Sequence, residues 1–160
     1  MVGCILITAG GLTSAADTER QADVARRGAL VMPFSLEKTQ HQFTKTKTGG
    51  IQRVVVRDSV DQTQIQLIRQ HLQMMSENFA QGDFSGPEAI HGADMPGLAQ
   101  LKAAKAGSIQ IIYADEVDGA SLTYSSKYKP LVKAVHRWFD AQVHDHGHDA
   151  MAMPHCQHHQ

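Results

Sequence analysis

A chain of 160 residues that is 42% hydrophobic has room for one domain with a core of its own, so neither a disulfide framework nor a structural metal is needed to hold it together. Fifteen Lys and Arg against sixteen Asp and Glu leave a net charge of −1, and no basic stripe forms that would track a phosphate backbone, so nucleic acid is excluded as an expected partner. Cys4 and Cys156 lie near opposite ends and form no Cys-x-x-Cys pair, which excludes a thiolate zinc knuckle or a redox pair.

Residues 2–12 (VGCILITAGGL) are an apolar run followed by the small residues Thr13, Ser14, Ala15 and Ala16. A run of about ten residues is too short to span a bilayer but matches the apolar part of an export signal. Residues 1–16 are therefore expected to be a signal peptide, although no Lys or Arg precedes the run, and the mature protein is expected to be periplasmic or secreted and free of the membrane. Residues 17–33 are polar and weakly periodic, and read as a flexible arm or short helix that Pro33 closes.

From Phe34 the pattern changes. Thr39, His41 and Phe43 alternate with polar neighbours, the period-two mark of a half-buried strand. Gly49 and Gly50 supply hairpin chemistry, and residues 51–57 (IQRVVVR) supply the returning strand. Asp61 is placed to cap a helix whose apolar stripe runs through Ile65, Ile68, Leu72, Met75 and Phe79, and Gly82 ends it. Residues 83–97 read as a loop carrying Pro87, His91, Asp94 and Pro96, and a short helix over 98–106 follows. A third strand (108–113), a turn at Asp118 and Gly119, a strand (121–125) and a helix (130–144) that Pro130 starts then repeat the order of the first half. The expectation is an α+β domain over residues 34–143, a ββα-ββα pseudo-repeat with helices on one face of an antiparallel sheet, followed by a tail over 144–160.

Histidine is the unusual residue: there are ten, six of them in the last seventeen positions. Within the domain stand His41, His71, His91 and His136. A single histidine beside an apolar stripe is usually a boundary residue. Taken together, however, His41 shares a face with Phe43, His71 lies between Ile68 and Met75, and His136 holds a comparable place on the second helix. Neutral imidazoles that converge in this way suit zinc, copper or iron, or a haem or other ligand pocket, with Glu37, Asp94 and Asp140 as candidate carboxylate partners. The tail adds His144, His146, His148, Met151, Met153, His155, Cys156, His158 and His159. Thioether, thiol and imidazole together favour Cu(I), and the His/Asp portion suits Cu(II) or Zn(II).

No nucleophile elbow, Walker loop, dinucleotide glycine motif or His-Glu-x-x-His motif is present, and Ser35, Glu37 and His41 lack the relative geometry of a hydrolytic set. The stretch from Met32 to Phe43, with its Phe-Ser-x-Glu-Lys-Thr-x-His-x-Phe core, resembles a family of small, mostly exported bacterial proteins. So do Arg69-Gln70-His71-Leu72, the loop of His91 before Pro96-Gly97, and Ala134 to Phe139. Some members carry the name aspartate carbamoyltransferase. That activity would need a Ser-Thr-Arg-Thr phosphate loop, and its zinc-binding regulatory chain four cysteines; neither is here. The sequence thus points to a periplasmic metal-binding or metal-handling protein, copper favoured and zinc possible, with a metal ion as partner. The alternatives are a small exported enzyme or haem/ligand-binding domain using the domain histidines, and an interaction domain in which they are structural.

Overall fold

The structure, a computed structural model, describes residues 14–154. The expected signal segment up to residue 13, and the candidate ligands His155, Cys156, His158 and His159, lie outside the described residues. Five helices, α1 (Ala15–Val31), α2 (Gln62–Ala80), α3 (Ser85–His91), α4 (Leu98–Lys102) and α5 (Lys129–His146), accompany five strands: β1 (Thr39–Thr46), β2 (Gly49–Val56), β3 (Gln110–Glu116), β4 (Gly119–Ser125) and β5 (Ala150–Met153). The strands form one sheet in the order β3-β4-β2-β1-β5. Each half contributes a hairpin and the helix after it. The hairpins meet where β2 pairs antiparallel with β4, and the fold is α+β as expected.

Alternation in the strands decides which face is covered. Thr39, His41 and Phe43 of β1, Gln52 and Val54 of β2, and Ala120, Leu122 and Tyr124 of β4 are buried beneath α2 and α5. The apolar stripe of α2 places Ile65, Ile68, Leu72 and Phe79 against this face, and α5 adds Val135, Trp138 and Phe139. The rings of Phe79, Phe84, Tyr124, Trp138 and Phe139 contact one another at centroid distances of 4.4 to 6.4 Å. Burial of each such ring contributes about 2 kcal/mol, so this cluster anchors both helices to the sheet.

Four local expectations change. Residues 17–33, expected as a flexible arm or short helix, fall mostly within the packed 17-residue helix α1: Ser14 and Asp17 form a reciprocal capping box, and Val24 is fully buried. The loop over 83–97 contains α3. Both hairpin turns are two residues long, with Thr46 opposite Gly49 and Glu116 opposite Gly119, so the glycines begin the return strands instead of making the turns. They are needed for close approach: a Cβ at Gly119 would stand 2.0 Å from the Val54 carbonyl oxygen. Finally, the tail does not begin at 144. Helix α5 continues to His146, Gly147 turns the chain with φ +55°, and β5 adds parallel to β1, His41 beside Ala150. Among the described residues no helix is long and apolar enough to cross a membrane.

Candidate functional site

Four histidines from four elements line one cavity: His41 from β1, His71 from mid-α2, His91 from the last residue of α3 and His146 from the last residue of α5. Each has the local reason its element provides. His41 takes the covered face because Phe43, two residues on, is core. His71 projects from the buried side of α2 beside Leu72. Gly92, with φ +92°, ends α3 immediately after His91. His146 follows Phe139 and Gln142 along the buried side of α5. All four are buried, at 2% to 7% exposure.

His146 is the centre of the cluster. Its ring stacks on His41 with centroids 4.9 Å apart and planes 4° from parallel, and it meets His91 edge-on, also at 4.9 Å. Phe34 packs against His41 at 5.9 Å and His71 at 5.6 Å, closing the other side. The remaining walls are mostly apolar, with Leu72, Phe79 and Ile90 among them, and the cavity volume is about 70 Å³. On that measure a water molecule needs about 10–15 Å³, so there is room for about five water-sized groups. A porphyrin is many times larger, and the haem expectation does not fit this cavity.

Burial holds the imidazoles neutral. Loss of hydration lowers His41 and His71 to about 4, and pushes His146 well below the ordinary histidine value. For His41 the neighbouring His71 adds to the effect, while the Asp149 backbone opposes it. The Nδ1 atoms of His41 and His71 are buried without a hydrogen-bond partner.

His91 differs. Its Nδ1 lies 2.8 Å from the Asp145 carboxylate, which takes two further bonds of 2.7 Å from the guanidinium of Arg20 in α1. Arg20 also donates to the His91 carbonyl at 3.0 Å. Burial alone would raise Asp145, but the bonds from His91 and Arg20 outweigh it and hold the carboxylate below its ordinary range. A charged Asp145 fixes the His91 proton on Nδ1, leaving Nε2 as an acceptor or ligand atom.

The other sequence candidates go elsewhere. His136 spends its Nε2 on the Thr46 and Gly49 carbonyl oxygens at 3.0 and 2.8 Å, so it ties α5 to the β1–β2 hairpin and lies outside the cavity lining. His144 is exposed and reaches Asp17 at 3.2 Å; His148 is exposed beside Asp149. Met151 and Met153 stand on edge strand β5 at 37% and 36% exposure. Glu37 and Asp94 are exposed, and Asp140 pairs with Lys45. Sequence reasoning passed over Asp145, Arg20 and Gln142. The signal for Asp145 and Gln142 was the apolar period of α5, which runs Val135, Trp138 and Phe139, Gln142, then Asp145 and His146.

As the side chains lie, no group of three His, Cys, Asp or Glu among the described residues is close enough to hold a metal ion. Comparison of the chain with protein-family models, curated proteins and solved structures finds no match.

Proposed function

We propose that the protein is an exported metal-handling protein that binds one transition-metal ion, copper before zinc, through the interior imidazoles of His41, His91 and His146, with His71 beside them. The observation that carries this reading is the convergence of four buried histidines from four separate elements on one cavity. Interior imidazoles that merely fill space find hydrogen-bond partners; two of these leave a buried ring nitrogen free. A neutral ring is the form that binds metal, and a carboxylate behind one ring is the usual support of a ligating histidine. Closing on an ion requires the stacked His41 and His146 rings to turn, and histidine χ2 is a soft torsion. Copper is preferred because the methionines Met32, Met74 and Met75 share the lining and no thiol does. The N-terminal apolar run supports export to the periplasm.

The test is copper and zinc retention by the untagged full chain, by a chain ending at Pro154, and by His146→Asn and His91→Asn. One equivalent kept by the shortened chain, and affinity weakened by about 100-fold in either variant, is the expected result. Tight binding that disappears with residues 155–160 and ignores both variants returns the metal to the C-terminal histidines. The His91–Asp145 pair also supports a second reading, an oriented general base acting on a small substrate in the same cavity. Metal-free protein with micromolar copper affinity would favour that reading.

A further inference from the structure

Three residues of one cavity lining carry buried polar atoms without partners: His41 and His71 at Nδ1, and Gln142 at Nε2. Gln142 is 5% exposed and lies one helical turn before His146, so its amide stands beside that ring. A buried donor or acceptor left unmade destabilises the fold, and an occupant of matching polarity removes that cost. A second lining amide, Gln52, is already engaged, its Oε1 accepting from the Tyr124 hydroxyl at 2.9 Å.

The lining fixes the polarity of the missing partner. Gln142 Nε2 is a donor in need of an acceptor. The Asp149 backbone takes a hydrogen bond from His41 that Nδ1 does not make, so the His41 proton is on the opposite nitrogen and Nδ1 accepts. The bond from His91 Nδ1 to Asp145 likewise leaves His91 Nε2 accepting. A matching occupant carries an acceptor and N–H or O–H donors together. It is also uncharged, because among the described residues the one charged side chain in the lining is Asp83, which is exposed and already accepts from the Ser85 amide at 2.9 Å. An ion buried without a counter-charge is costly. The volume of about 70 Å³ admits about five non-hydrogen atoms.

We propose that the cavity binds a small uncharged amide, the Gln142 amide donating to its carbonyl and its own N–H groups donating to the accepting imidazole nitrogens. This rests on the second reading above, a small molecule beside the His91–Asp145 pair, and needs no metal.

The experiment takes the untagged full chain, freed of metal with chelator and labelled with carbon-13 at the methionine methyls. It is titrated by NMR with acetamide, acetate, acetamidinium and isobutene, planar molecules of one Y shape that differ in charge and hydrogen bonding. Met32 and Met75 report from the lining, Met151 and Met153 from the sheet edge. Saturable shifts at Met32 and Met75 with acetamide, and binding of both ions weaker by about tenfold or more, are the expected result. Gln142→Leu should weaken acetamide by about tenfold without weakening isobutene. His41→Phe, which keeps a ring against His146 but removes the acceptor, should weaken acetamide by about the same factor and serves if the first variant does not fold. Isobutene or either ion binding as tightly as acetamide, or acetamide affinity indifferent to both variants, overturns the amide assignment while sparing the small-molecule reading. With no saturable shift at Met32 or Met75 for any of the four, or only linear shifts shared with Met151 and Met153, both fall.

Discussion

Acidifying the metal-free protein should destabilise it from pH 6.5 downward, before the carboxylates begin to titrate. His41 and His71 have ordinary values of 6.5 and are held at about 4 in the folded chain. Above pH 6.5 they are neutral in both states and contribute nothing to the pH dependence. Between 6.5 and 4 the unfolded chain takes up protons that the folded chain refuses, so stability falls as pH falls. A difference of 2.5 units at about 1.4 kcal/mol per unit is about 3 kcal/mol for each ring. Two rings together approach the whole stability of an ordinary domain, about 5–15 kcal/mol, and His146 shifts in the same direction. Asp145 acts in a lower window, its support being lost only below its ordinary value of 3.8. Urea midpoints read by circular dichroism on chelator-treated protein at pH 7.5, 6.5, 5.5 and 4.5 should drop steadily below 6.5. His71→Phe, which keeps a ring beside Phe34 but removes one proton site, should flatten the slope by about 1.4 kcal/mol per pH unit. A midpoint that stays constant from pH 7.5 to 4.5 would refute the claim that these imidazoles are buried neutral.

Two further outcomes follow from contacts rather than titration. Asp145→Asn leaves Arg20 without its counter-ion, but Arg20 is 38% exposed at its side chain and can hydrate, so the loss in chemical denaturation should be about 2 kcal/mol; the His91 proton, read by nitrogen-15 NMR, should no longer be confined to Nδ1. Gly97→Ala should cost about 2–4 kcal/mol, because φ is +84° and the new Cβ would stand 2.2 Å from the Ala134 carbonyl oxygen, whereas Gly82→Ala, with φ +80° and open space around it, should cost only about 1 kcal/mol by the same melts.

The sheet and its two covering helices were legible because their signals are local. Alternation around Phe43 and the three-four spacing of Ile65, Ile68, Leu72 and Phe79 each name a buried face without reference to the rest of the chain. What the chain concealed depends on contacts between distant segments. Helix α1 has a weak apolar stripe and is held through Arg20 and Gln21, whose bonds to Asp145 and the His144 carbonyl cross more than a hundred residues. Strand β5 is four residues long, and only its pairing with β1 makes it a strand. The pseudo-repeat also misled at the histidines. His71 and His136 occupy similar places in their helices, yet one lines the cavity and the other ties a hairpin, because α5 runs on for ten residues beyond His136 before it reaches the same space. A histidine-rich composition then hid the continuation: His144, Asp145, His146 and His148 look alike in sequence as a metal-binding tail. The helix period separates the first three, turning Asp145 and His146 inward and leaving His144 in solvent, while His148, past the Gly147 turn, is exposed. Helical phase, which was available throughout in Val135, Trp138, Phe139 and Gln142, is what assigns His146 to the interior.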